Sequence, residues 1–275
     1  MKVVLFGKGE RFEACKNVLA GYDPSFVEEK NFVESDWEFS DEQRCYDVYI
    51  LAGLSKILGR EFINSPKIIL NLHAGKLPEY RGSSPLNWAL INGEKEFTLS
   101  IIKVDEGIDT GDILYERTMP IEDIYDIKDL TRLANKNFPS MLVHVLCGID
   151  KGYYNNNFYF KRQSTFGNYY PMRFSEDSII WFDRFTAEEV RNRVRALNDD
   201  RYRAFAWYVK HDGLKVYFNR CEIPTDNNYY GIAGVIFKID NTNKRLLVGT
   251  KDKAVWLYPD VFTNGIFDRY AHFTQ

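Results

Sequence analysis

The amino-acid sequence predicts an α/β protein: a doubly wound, mostly parallel sheet followed by a small, mainly-β C-terminal domain. Three observations carry that expectation. Short apolar runs ending in glycine or polar residues alternate with helical stretches through the first half of the chain. After about residue 175 the alternation gives way to short β-like runs separated by turn residues. The charge divides at the same place: residues 1–174 hold 21 bases and 25 acids, whereas residues 175–275 hold 15 and 14. The division is therefore drawn at 1–175 and 176–275. Strands alternating with helices imply crossover connections and hence a parallel sheet.

The elements follow in order. Val3 to Phe6 is a short apolar run ending at Gly7, as expected for a strand buried on both faces. Glu10 to Ala20 is expected to be helical and closed by Gly21. Gly7-Lys8-Gly9 has the first two glycines of a dinucleotide fingerprint, but Phe12 stands in the third place, so a tight strand-to-helix turn is the better reading. Glu28 to Asp47 holds eight acids and two bases, which makes it a solvated connection in this reading. Strands are expected over Asp47–Gly53, Lys67–His73 and Phe97–Val104. Asp126 to Leu146 is largely helical, with Pro139 forcing a kink or break. In the C-terminal part, Thr186-Ala-Glu-Glu189 is a capping box, and Val190, Val194 and Leu197 form one apolar face. Strands follow at Leu214–Phe218, Gly231–Ile239, Arg245–Gly249 and Ala254–Tyr258, with turns at Asp212-Gly213 and Asp240–Asn243.

Composition narrows the function classes. A hydrophobic share of 45% and a charged share of 27% over 275 residues exclude wholesale disorder. The net charge of −3 argues against a nucleic-acid partner, because phosphate-rich polymers are bound by basic surfaces. Cys15, Cys45, Cys147 and Cys221 lie far apart, so neither a zinc site nor a disulfide framework is expected. No apolar core follows Met1–Gly7 as in a signal peptide, and no run approaches the ~20 residues that cross a bilayer. A cytoplasmic location without membrane partners is expected.

The stretch most informative for chemistry is Ile68-Ile-Leu-Asn71-Leu-His73, followed by an irregular loop held by Gly75, Pro78 and Gly82. In a doubly wound sheet, ligands bind at the carboxyl ends of strands. Asn71 and His73 are two residues apart on a strand and share a face. After the next strand, Asp105-Glu106-Gly107-Ile108-Asp109 forms a glycine-punctuated acidic loop placed to meet the first. Asn offers an amide donor, His carries a proton, and Asp can fix a His tautomer. Together they suit addition of a nucleophile to a carbonyl through an oxyanion. A serine hydrolase built on Ser83-Ser84 lacks the Gly-x-Ser-x-Gly elbow. A Rossmann oxidoreductase lacks its third glycine. A non-catalytic folate- or nucleotide-binding module is the alternative from a different class.

At these residues the sequence resembles the N10-formyltetrahydrofolate-dependent formyltransferase family. Asn71-Leu-His73 with Leu77-Pro78-Glu-Tyr80-Arg81-Gly82, then Ser84-Pro85-Leu-Asn87-Trp88, then Asp105 to Leu114, stand in the family's order and spacing. A weaker match surrounds Trp181 and Arg195–Leu197. The resemblance implies a Rossmann-like catalytic domain, a formyl-folate cosubstrate and no metal. It assigns catalysis to Asn71, His73 and Asp109. Asn71 would donate to the oxyanion, His73 would stabilise it and take part in proton transfer, and Asp109 would orient His73 and help move the amine proton. Folate binding would fall to Ser55, Lys56, Ile57 and Leu58 on one wall and to Asp105, Glu106, Gly107 and Ile108 on the other.

The family acts on several acceptors. Initiator-tRNA formylation needs a basic surface, and the C-terminal part carries only 15 − 14 = +1. Ribonucleotide formylation resembles single-domain chains. Total length and the His73-Ala-Gly-Lys76-Leu-Pro loop resemble members that formylate nucleotide-linked amino-deoxysugars for surface glycans. The first-ranked acceptor is dTDP-4-amino-4,6-dideoxyglucose, with UDP-linked sugars and methionyl-tRNA as alternatives. Lys8, Lys76 and Arg81 are the candidates for its diphosphate. A homodimer is expected from an aromatic-rich β appendage.

Overall fold

A computed structural model describes residues 1–21, 27–34, 45–54, 58–64, 67–154, 160–199, 202–210, 213–226 and 231–274. The elements run β1 (Lys2–Gly7), α1 (Gly9–Gly21), β2 (Glu29–Glu34), β3 (Val48–Ala52), α2 (Arg60–Ile63), β4 (Ile68–His73), β5 (Arg81–Gly82), α3 (Pro85–Ile91), β6 (Glu96–Lys103), β7 (Ile113–Pro120), α4 (Ile127–Asp150), β8 (Tyr169–Tyr170), α5 (Ala187–Ala196), β9 (Phe205–Tyr208), β10 (Leu214–Glu222), β11 (Ile236–Asp240), β12 (Arg245–Gly249) and β13 (Ala254–Pro259). They fall into two compact units. The first comprises Met1–Pro85, Glu96–Pro120 and Thr131–Pro171; the second comprises Leu86–Lys95, Ile121–Leu130 and Met172–Gln275.

The first unit is built on a six-stranded sheet ordered β2-β1-β3-β4-β6-β7. The four strands β2, β1, β3 and β4 are parallel, and the strand order reverses direction between β1 and β3. β1 and β3 are buried along nearly their whole length, as their unbroken apolar runs require of central parallel strands. Val4, Phe6, Tyr46, Tyr49, Leu51 and Ile69 form one apolar cluster. Gly7 has φ +151°, and a Cβ there would collide with the Ala52 carbonyl oxygen. The first glycine of Gly7-Lys8-Gly9 thus serves the close approach of two strand ends. α1 buries Phe12, Cys15 and Leu19 on one helical face. Phe12, where a dinucleotide fingerprint has its third glycine, is a core side chain. Burial pushes the Cys15 thiol up to about 12.

The structure corrects several sequence expectations. Within the acidic stretch read as a connection, Glu29–Glu34 is a parallel edge strand paired with β1. Strands β7 and β9 were not expected. β6 runs antiparallel to β4, and β7 antiparallel to β6. α4 is helical through Pro139, without a break. It buries Leu130, Ala134, Phe138, Met141, Leu142, Val145 and Leu146 at helical spacing, and that packing outweighs one missing backbone donor. The expected strand over Gly231–Ile239 begins only at Ile236. Asp212 of the Asp212-Gly213 turn lies outside the described residues, as do Asp36, Glu38, Asp41, Glu42 and Arg44 of the acidic stretch.

The second unit is built on an antiparallel sheet ordered β11-β12-β13-β10-β9 with α5 packed on it. The capping box at the start of α5 is formed: Thr186 Oγ1 accepts from Glu189 N–H at 3.3 Å, and Thr186 N–H donates to Glu189 Oε2 at 2.8 Å. Val190, Val194 and Leu197 are buried, as their spacing predicts. Phe273 is fully buried, with ring centroids of Phe182, Tyr208 and Phe218 within 5.7 Å. The high aromatic content thus serves the core of this unit. The turn between β11 and β12 is held by Asp240 Oδ1, which accepts from Asn243 N–H at 3.0 Å. Among the described residues, no helix is long and apolar enough to cross a membrane.

Candidate active site

The antiparallel pairing of β6 decides how the site is assembled. Asn71 and His73 stand opposite Ile102 and Ser100. The loop after β6, residues 104–112, therefore leaves the sheet beside Ile69, whose carbonyl accepts from Val104 N–H at 2.8 Å. It then turns back over the outer half of β4. At its turning point Asp109 adopts φ 52°, in the left-handed region.

Asp109 brings the three sequence-predicted residues together. Its Oδ1 accepts from Asn71 Nδ2 at 3.1 Å. Its Oδ2 lies 3.4 Å from His73 Nδ1 and accepts from Gly82 N–H at 2.9 Å. The other imidazole nitrogen, His73 Nε2, lies 2.6 Å from the Tyr80 carbonyl oxygen. A carbonyl only accepts, so Nε2 carries hydrogen in this arrangement, and Nδ1 is the nitrogen left to gain a proton beside the carboxylate. His73 is 5% exposed. Burial pushes its pKa below the ordinary imidazole value, against the upward pull of Asp109 and the Tyr80 carbonyl; the Arg11 cation adds to the fall.

The irregular loop after β4 is shaped around this imidazole. A Cβ on Gly75 would lie 2.7 Å from His73 Nε2 and 2.8 Å from the Tyr80 oxygen, so a larger residue would displace the ring. Ser100 Oγ donates to the Gly75 carbonyl at 3.0 Å, and Tyr80 stacks on Tyr170 at 5.1 Å.

The remaining candidates are placed as follows. Asp105 Oδ1 accepts from Gly107 N–H at 3.1 Å and Thr110 Oγ1 at 2.6 Å, which folds the acidic loop on itself. Glu106 Oε1 accepts from Asn64 Nδ2 at 2.9 Å, and Ile108 is 47% exposed. Leu58 packs with Leu54 and Val104 against the apolar cluster of β1 and β3. Ser55, Lys56 and Ile57 lie outside the described residues. Lys8 and Lys76 are exposed. Arg81 is buried, and its guanidinium is engaged internally by Gln163 Oε1, at 3.1 Å from Nε and 3.0 Å from Nη2, and by the Ser164 carbonyl at 2.8 Å. Among the described residues, no group of three or more His, Cys, Asp or Glu is placed to hold a metal ion.

Two residues at the site carried no sequence signal. Arg11 on α1 is half-buried beside it, donating to the Leu72 carbonyl at 3.2 Å, with its guanidinium 4.8 Å from the Phe138 ring centroid. Gln163 reaches the Asp109 loop from a distant part of the chain. The contact rather than the residue type gives each its place.

A strand-borne Asn and His beside an Asp on a neighbouring loop suit acyl transfer in chemical outline. Residues 3–146 match the formyl transferase family and residues 174–259 match the formyl transferase C-terminal domain, and the chain belongs to that family. Among its relatives, methionyl-tRNA formyltransferase of Clostridium beijerinckii is 30% identical over 255 residues, 92% of this chain and 77% of that one. The chain spans about half the length of several other curated relatives that it matches. In fold it is similar to the N-formyltransferase from Helicobacter canadensis, solved with folinic acid and dTDP-3-aminofucose. The TM-score is 0.69 at 14% identity, over 94% of this chain and 99% of that one. It is also similar to WlaRD, a sugar 3N-formyl transferase solved with dTDP and 5-N-formyl-THF. There the TM-score is 0.68 at 16% identity, over 94% and 98% of the two chains.

Proposed function

We propose that this protein transfers a formyl group from N10-formyltetrahydrofolate to the amine of a nucleotide-linked amino-deoxysugar. The observation that carries the reaction is the convergence of Asn71 and His73 on the two oxygens of one carboxylate, that of Asp109. Bound N10-formyltetrahydrofolate supplies an activated formyl carbon. Leu54, Leu58 and Val104 offer a half-buried apolar wall beside the Asp105–Ile108 turn, which suits a flat heteroaromatic ring with polar edges. Asn71 has two amide hydrogens; Asp109 holds one, and the second donates to the carbonyl oxygen as it gains charge. The Asp109–His73 pair takes the proton that the attacking amine loses and passes it to N10 as the bond between N10 and the formyl carbon breaks, which releases tetrahydrofolate. His73, kept neutral by burial, has Nδ1 ready for it, and the Asp109 carboxylate stabilises the imidazolium formed.

Two observations favour the sugar acceptor. The net charge is −3, without the excess of bases that tRNA phosphates call for. The sugar 3N-formyl transferase and the N-formyltransferase solved with dTDP-3-aminofucose are matched in fold along 98% and 99% of their length. dTDP-4-amino-4,6-dideoxyglucose is the acceptor of first choice, with Lys8 and Lys76 as candidates for its diphosphate. Arg81, with its guanidinium engaged internally, is the weakest of the three candidates. A second reading, formylation of methionyl-tRNA, is favoured by the 30% identity that runs over 92% of the chain. The test is release of tetrahydrofolate, followed by absorbance, on mixing the protein and formyl donor with each amine in turn. Amine-dependent release supports formyl transfer. Binding of folate without release for any amine identifies a folate-binding module instead.

A further inference from the structure

Residues 160–170 carry no role in the reading above, yet they join both loops of the site. At one end Ile113 and Lys161 exchange backbone hydrogen bonds of 2.9 Å in each direction. At the other, β8 pairs with β5, and Ser83 N–H donates to the Tyr170 carbonyl at 2.9 Å. Between these ends stands half-buried Gln163. Its Nε2 donates to the carbonyls of Asp109 at 2.9 Å and Gly111 at 2.7 Å. Its Oε1 accepts from Nε and Nη2 of Arg81 at 3.1 and 3.0 Å. Both amide hydrogens are committed on one side and the oxygen on the other. The partners fix the amide's orientation, because the reverse would set N–H groups against a guanidinium and an oxygen against two carbonyls.

We propose that Gln163 is a positioning residue for formyl transfer: it ties the backbone of the Asp109 loop to the Arg81–Gly82 strand, whose N–H holds the Asp109 carboxylate. The inference rests on the roles given above to Asp109 and His73. A second observation supports it independently. Asp109 holds φ 52°, a conformation that a non-glycine residue keeps only where its surroundings over-determine it. The Gln163 amide clasps the carbonyl of that same residue and the one two positions on. Glutamate at 163 would keep the tie to Arg81 but set a carboxylate oxygen against both carbonyls.

The test uses the full-length chain with Gln163→Glu and Gln163→Met. Each is expected to lower kcat about 10–100-fold, the scale of a small misplacement of a catalytic group, with the donor KM nearly unchanged. In an Asp109→Asn background neither should lower kcat further. A readout free of turnover is the NMR titration of the His73 imidazole. Asp109 acts upward on it and Arg11 downward, so Gln163→Met should move the titration lower, in the same direction as Asp109→Asn should. Wild-type kcat and titration in both variants would overturn the proposal, as would losses that multiply fully with Asp109→Asn. If Gln163→Met does not fold, Gln163→Glu decides. If no amine is formylated even by the wild type, the functional reading fails, while the titration still decides the role of Gln163.

Discussion

At the scale of the residue, Asp109 is the hub: its carboxylate meets Asn71, His73 and the Gly82 N–H, while its backbone meets Gln163. Asp109→Ala and His73→Ala should each fold and lose about 10²–10³ in kcat, the worth of one preorganised group at a developing charge. Steady-state kinetics beside a circular-dichroism spectrum checks this, and near-wild-type turnover in either variant would remove the assignment. His73 also makes a stability prediction. Its folded pKa lies below the value of 6.5 that an unfolded imidazole has. As pH falls below 6.5 the unfolded chain gains a proton that the folded chain resists, so stability declines with acidification. The urea midpoint of the wild type should drop more between pH 7.5 and 5.5 than that of His73→Gln. Parallel curves would mean that His73 is not held neutral by burial. Strand periodicity put Asn71 and His73 on one face and glycines marked the Asp109 loop, but the roles given to the three came from the resemblance to the formyltransferase family. Arg11 and Gln163 were not, because each enters through a contact 61 or 54 residues away in sequence. The internal engagement of Arg81 was hidden for the same reason.

At the scale of the element, local chemistry and hydrophobic pattern were legible to different degrees. The capping box of α5 and the strand Arg245–Gly249 were read to the residue, since a cap and an Asp–Asn turn mark their own boundaries. β2 was hidden because an edge strand of sequence Glu-Lys-Asn-Phe-Val-Glu is half solvated and carries the charge of a loop. The direction of β6 was not legible, since the apolar pattern of a buried strand does not distinguish parallel from antiparallel pairing. The two kinds of feature should also differ in worth. Thr186→Ala removes a cap and should cost about 1 kcal/mol. Phe273→Ala empties the centre of an aromatic cluster and should cost about 3–5 kcal/mol. Urea unfolding followed by tryptophan fluorescence ranks them, and equal losses would contradict the role given to Phe273.

At the scale of the whole molecule, the identity of the acceptor is the property that matters. The proposed formyl transfer rests on one site, whereas the choice of amine depends on charge and surface spread over the chain. The comparisons divide: the relatives in sequence are methionyl-tRNA formyltransferases by name, while of two proteins similar in fold one is named a sugar 3N-formyl transferase and the other was solved with dTDP-3-aminofucose. Net charge was legible in the sequence at once, and so were Lys8 and Lys76 as candidates for the proposed diphosphate; the internal engagement of Arg81 was not. The most direct measurement is kcat/KM for formyl transfer to dTDP-4-amino-4,6-dideoxyglucose, to its UDP-linked counterpart and to charged initiator tRNA, at one salt concentration. Efficient turnover of the dTDP sugar and negligible turnover of the tRNA are expected. A higher kcat/KM on the UDP sugar would change the nucleotide alone, while turnover of methionyl-tRNA equal to or above that of either sugar would contradict a sugar acceptor.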